Sequence, residues 1–144
     1  MLYALDTEFI DTPTCSALIS FALVAEDGRE LYLEFTYPEE ELTPWLRENV
    51  VPHLNNNHFV SPGVAAKKIA EFIGSDVPEF WCYFGAYDWY WLCRVFGGMM
   101  NLPPKWPQLF REAAWFREGK PKAVVQHNAL SDAKALMSTL RLAA

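Results

Sequence analysis

The sequence predicts an α/β protein built as a mixed β-sheet with helices on its faces. Three observations lead there. The chain opens with three strand-like segments, helical and strand signals then alternate, and the apolar content is high enough for a real core. Of 144 residues, 51% are hydrophobic and 15% aromatic, which argues against wholesale disorder and fits one domain spanning residues 1–144. No repeat, low-complexity tract or internal boundary interrupts it.

Leu2–Leu5 is apolar and runs into Asp6-Thr7-Glu8-Phe9, a buried strand with an acidic terminus. Ser16–Ala25 and Arg29–Phe35 are two further strands, and Asp27-Gly28 between them is a hairpin signal. Thr43-Pro44 caps a short helix through about Val51. Ser61-Pro62 starts a longer one, in which Val64, Ala65, Ile69, Phe72 and Ile73 recur at helical spacing before Gly74. Glu79–Tyr83 is a fourth strand, and a helix of about Ala86–Phe96 follows Gly85 and ends at Gly97-Gly98. Pro103-Pro104 and Pro107 make a stiff connection, then a helix is expected through about Arg117, stopped by Gly119. Lys122–Gln126 is expected as a short last strand, and Asn128 caps a closing helix of about Ala129–Leu142.

Bulk properties exclude several classes. The longest apolar run, Ala17 to Ala25, is short and broken by Ser20, so no membrane span is expected. The N-terminus has neither a basic flank nor a cleavage site, and the expected location is the cytoplasm. Cys15, Cys82 and Cys93 are too few and too scattered for a disulfide framework or a cysteine zinc site. The net charge of −6 and pI of about 5.0 count against a passive nucleic-acid binder. They leave room for an enzyme whose positive charge arrives as bound metal.

The chemistry-bearing residues are acidic. Asp6 and Glu8, two apart on a strand, point to the same face, roughly 6–7 Å apart. Asp88 is the one charge between Glu79 and Arg94 and sits in the first turn of a helix, whose N-terminus favours its ionised form. On the closing helix, Leu130, Ala133, Leu136, Met137 and Leu140 form the apolar stripe, and Asp132 lies about 100° from its centre. His127 lies just before the cap, and an imidazole is suited to activating water. Each piece alone also fits a plain role: a solvated strand end, a helix cap, an exposed loop histidine. Together they form the set that two divalent cations about 3.5–4 Å apart require, with a base for the attacking water.

The order Asp6-Thr7-Glu8-Phe9, Tyr87-Asp88, then His127-Asn128-Ala129-Leu130-Ser131-Asp132 resembles the DEDDh exonucleases of the ribonuclease H-like superfamily. The resemblance spans essentially the whole chain. It is narrowest to small stand-alone bacterial and phage 3′–5′ exoribonucleases described as polyadenylate-specific, through Asp-Thr-Glu-Phe-Ile, Ala-Glu-Asp-Gly-Arg-Glu and Gly-Ala-Tyr-Asp. The chain departs from the pattern at Phe84, where an Asn often lies four residues before the mid-chain Asp, and it is short for the family.

The resemblance implies a ribonuclease H-like mixed sheet, three antiparallel strands first and parallel strands after. It implies a metal-dependent 3′–5′ exonuclease on single-stranded nucleic acid, RNA favoured over DNA. Asp6 would bridge two divalent cations, Mg²⁺ or Mn²⁺, with Glu8, Asp88 and Asp132 completing their shells and His127 as general base. Phe9, Thr7 and Trp89 are the candidates for contact with the substrate strand, and a homodimer is compatible with the family. The alternatives are a two-metal phosphoesterase acting on nucleotides or very short oligonucleotides, and a non-catalytic module on the same fold. Elsewhere, His53 and His58 have no third ligand nearby for zinc. Lys67, Lys68, Arg117, Lys120 and Lys122 are basic side chains expected on solvated faces, and Ser16 and Ser131 lack a nucleophile-elbow context.

Overall fold

The computed structural model describes residues 1–113 and 122–143. Its strands are β1 (Leu2–Asp11), β2 (Ser16–Ala25), β3 (Glu30–Glu34), β4 (Glu79–Cys82) and β5 (Arg111–Glu112). Its α-helices are α1 (Pro44–Asn49), α2 (Pro62–Ile73), α3 (Gly85–Val95) and α4 (Ala129–Ala143). The sheet order is β3-β2-β1-β4-β5. β1, β2 and β3 pair antiparallel, then β4 runs parallel to β1 and β5 parallel to β4. This is the mixed sheet that the element order predicts.

Local chemistry explains most boundaries. Gly28 has φ 95° in the β2–β3 turn, a conformation that glycine enters without steric cost. Thr43 and Ser61 each precede a helix-starting proline and accept from Leu46 N–H (3.2 Å) and Val64 N–H (3.4 Å). Asn128 caps α4 by accepting from Ser131 N–H at 3.1 Å.

β1 runs through the acidic end expected at Asp6–Phe9 and on to Asp11, because β2 pairs with it along its whole length, from Tyr3↔Ala25 to Asp11↔Ser16. Asp6 and Glu8 lie on one strand, as expected. Two expectations are corrected. The helix expected through Arg117 is instead strand at Arg111–Glu112, where β4 offers an open edge; its remainder to Gly119, with Arg117 and Lys120, lies outside the described residues. Lys122–Gln126 is turn and bend rather than strand. Ser131 caps it from the helix side, its hydroxyl accepting from Val125 N–H at 2.9 Å.

Side-chain alternation divides the core between the two faces of the sheet. Tyr3 and Leu5 join Phe21 and Leu23 under Ile69 and Ile73 of α2 and Leu92 and Val95 of α3. On the opposite face Ala4, Ala22 and Val24 pack against Ala133, Leu136, Met137 and Leu140 of α4. Farther along that face, Ile10 and Ile19 form a separate cluster with Leu42, Leu46 and Val50 around α1. A register shift between Glu8 and Phe9 gives β2 one extra residue there, which adds local twist between the two clusters. Asp6 and Glu8 fall between Ala4 and Ile10, in the gap that α4 and α1 leave uncovered.

The entrance to α3 is tightly packed. A methyl group built on Gly85 meets the Phe110 ring at 2.1 Å. Gly85→Ala should therefore cost about 1–3 kcal/mol through overpacking. Chemical denaturation of the two proteins measures it, and equal midpoints would show that the Phe110 ring moves aside freely.

Candidate active site

The gap between α4 and α1 is the mouth of a cavity of about 650 Å³. It is lined by Asp6, Glu8, Asp88, Asp132 and His127, together with Thr7 and Phe9. The structure thus brings together all five residues that the sequence singled out for catalysis, from β1, α3, the turn before α4, and α4.

Each arrives for a local reason. Asp6 and Glu8 share the parity of Ala4 and so face α4. Asp132 follows because α4 lies on a bed of small side chains. Ala4 and Ala22 on the sheet meet Ala129 and Ala133 on the helix, so the backbones approach closely. One carboxylate oxygen from each of Asp6, Glu8 and Asp132 lies within 4.8 Å of the other two. Tyr83, at the end of β4, clasps the same helix through a hydroxyl contact with Thr139 at 3.2 Å.

Asp88 comes from the other side of the strand. It is 4% exposed and accepts from the Thr7 hydroxyl at 2.6 Å. Thr7 lies between the two acids and points to the face covered by α3. Its hydroxyl is committed to Asp88, so Thr7 acts here as a positioning residue for that carboxylate rather than as a free contact for a substrate.

The electrostatics reflect crowding of like charge. Burial pushes Glu8 up to about 8, and the charges of Asp132 and Asp88 add to the effect. Burial pushes Asp88 up to about 7; its hydrogen bonds with Thr7 and Phe84 oppose this and the Asp132 charge adds to it. Near neutral pH a cluster of this kind carries protons that a cation could replace. The donors are all carboxylate oxygens, a set suited to hard divalent cations such as Mg²⁺ or Mn²⁺. Among the described residues no other group of three His, Cys, Asp or Glu side chains comes as close, and His53 and His58 do not join one.

His127 holds a left-handed backbone, φ 60°, which turns the chain into α4. Its ring meets Trp45 edge-on, with centroids 4.7 Å apart and planes at 76°. The next residue ties the same two regions together, as Asn128 Nδ2 donates to the His53 carbonyl at 3.1 Å. Phe9 stacks on Tyr87 at 5.0 Å and 18° and stays at the cavity edge. Trp89 does not join the site: it packs between Phe80 and Phe110, facing the core.

The sequence reading missed Trp45, Phe84 and Tyr87, which also line the cavity. Their exposures of 50%, 55% and 48% are high for large aromatic rings. Trp45 follows the helix-starting Pro44, Phe84 immediately precedes α3 and Tyr87 is in its first turn, positions at helix entrances where a side chain readily faces outward. Lys122 lines the same cavity.

Comparison with known proteins gives two relatives, both 3′–5′ exoribonucleases of Mycobacterium tuberculosis, from strains CDC 1551 / Oshkosh and H37Rv. Each is 36% identical over 155 aligned residues, covering 99% of this chain and 92% of the relative. No family model matches the chain. In fold, it superposes on exonuclease I with a TM-score of 0.65 at 14% identity. On the zinc-ion-bound form of the E. coli ExoI–ssDNA complex the TM-score is 0.66 at 12% identity. In both cases 98% of this chain is covered, and it spans 40% of the exonuclease I chain.

The raised carboxylates fix the sign of a pH effect. Between about pH 4 and pH 8 the folded chain holds protons on Glu8 and Asp88 that the unfolded chain releases, so stability falls as pH rises. In chelator, the melting temperature should drop from about pH 5 to about pH 9, and added Mg²⁺ or Mn²⁺ should recover more at the alkaline end. A cation effect that is equal at both ends would contradict the proton-for-metal exchange.

Proposed function

The chain belongs to the family of the two mycobacterial 3′–5′ exoribonucleases, and we propose that it shares their reaction, removing nucleotides from the 3′ end of single-stranded RNA. The observation that carries this reading is the convergence of Asp6, Glu8, Asp88 and Asp132 with His127 on one cavity. A protein with net charge −6 gains nothing from four gathered carboxylates unless something positive occupies them.

The donor set fits divalent cations, with Asp6, Glu8 and Asp132 as the closest ligands and Asp88 beside them. Bound there, such ions would neutralise phosphate charge and lower the pKa of the attacking water. The chain's own groups do the rest. His127 would accept the proton of that water, its ring braced by Trp45. Thr7 keeps Asp88 ionisable and aimed through its 2.6 Å hydrogen bond. Phe9, stacked on Tyr87, offers a flat face for the terminal base. The relatives' activity favours RNA over DNA.

The test is a time course on 5′-labelled single-stranded RNA and DNA of equal sequence, with Mg²⁺, Mn²⁺ or EDTA. The expected result is a ladder shortening from the 3′ end, faster on RNA and absent in EDTA. Asp6→Ala and Asp132→Ala should abolish the ladder while the protein stays folded, and full activity in either would overturn the assignment. His127→Ala should lower kcat by about 10²–10⁴-fold, the usual worth of a general base. Preference for mononucleotide esters over strands would point instead to a nucleotide phosphoesterase.

A further inference from the structure

Beside the catalytic cavity lies a second one of about 340 Å³, and the two share Phe9 and Tyr87. Tyr90 and Trp91 of α3 complete its apolar wall, and Asp11 and Ser16 give it a polar edge. Tyr87 and Tyr90 are 48% and 45% exposed, more than packing alone would leave on such large rings. Phe9 approaches Trp91 at 6.0 Å and Tyr90 approaches Trp91 at 5.0 Å, so the rings run without a break from the acids to the groove.

The charges point the same way. Among the described residues lining the two cavities, Lys122 is the one lysine or arginine, and the second cavity carries Asp11 instead. A carboxylate there repels a phosphate but accepts from the N–H groups on a nucleobase edge. Aromatic faces bind unstacked bases whatever their identity.

We propose that this groove holds a nucleobase upstream of the 3′-terminal nucleotide, so that the strand is gripped by its bases rather than its phosphates. This rests on the exonuclease reading and adds Tyr90 as a substrate-positioning residue. Cations held by the carboxylates would then supply positive charge at the scissile phosphate only, and the rest of the strand is held by stacking. Binding of this kind depends weakly on salt, whereas each phosphate contact steepens the dependence.

Steady-state kinetics of the metal-loaded enzyme test it, using a p-nitrophenyl ester of a nucleoside 5′-monophosphate, which has no upstream base, a longer RNA strand, and that strand with one abasic residue scanned upstream of its 3′ end. Tyr90→Ala should raise KM about tenfold on the intact longer strand, in the range of one stacked base, and leave the KM for the ester unchanged. One abasic position should cost the wild type a similar factor and cost Tyr90→Ala nothing more. Tyr90→Phe, which keeps the ring, should restore the wild-type KM, and a plot of log KM against log salt should have a slope below about one. A wild type that shortens RNA while Tyr90→Ala has an unchanged KM overturns the groove alone, as does an abasic penalty equal in both proteins. A wild type that shortens nothing with either metal overturns the exonuclease reading and the groove with it.

Discussion

Like-charge repulsion, held in place by a paired strand, is the constraint on which this molecule depends. Asp6 and Glu8 lie inside β1, where β2 pairs with both through Ala22 and Ser20, so neither acid can swing away with its backbone. α4 then delivers Asp132 to within 4.8 Å of both. The cost is visible in Glu8 and Asp88, whose burial and neighbours push them towards neutrality. A fold that keeps such an arrangement spends stability on it, and cations taken up there, as proposed, would need to cause little rearrangement.

The geometry of the gap follows from how the sheet is covered. One face is sealed along its length by α2 and α3 over the Tyr3, Leu5 and Phe21 core. The other carries two separate clusters, Ala4 with α4 and Ile10 with α1, and the acids occupy the interval between them. Alanines bring α4 close, and the turn at His127 brings the imidazole across to Trp45 of α1. Asp88 is the exception that closes the set, since it belongs to α3 and is fixed through Thr7, the residue between the two acids. Three consecutive residues of one strand thus organise carboxylates from both sides of the sheet.

The same covering explains how an acidic protein can handle a polyanion. Among the described residues lining the two cavities Lys122 is the one lysine or arginine, while exposed rings at Trp45, Phe84 and Tyr87 line the first and Tyr90 the second. On the proposed reading, cations would supply charge at one point and affinity would be spread over bases. This division also suits a small domain, which has little surface on which to lay a basic track.

Much of this was legible in the sequence, because it depends on residues near one another in the chain. The alternation of β1 put Asp6 and Glu8 on one face, Asp27-Gly28 set the hairpin, Thr43-Pro44 and Ser61-Pro62 started helices, and the stripe on α4 placed Asp132 at its rim. The last strand was not legible: Arg111–Glu112 is two residues long and exists because β4 offers a partner, which no local pattern records. Nor was the length of β1, which β2 extends past the acids to Asp11. Only tertiary packing decided that Thr7 serves Asp88, that Trp89 turns into the core while Trp45 meets His127, and that Phe9 and Tyr87 join two cavities. The physical reason is that periodicity fixes the direction of a side chain relative to its own element, whereas the distance between elements is set by the volumes packed between them.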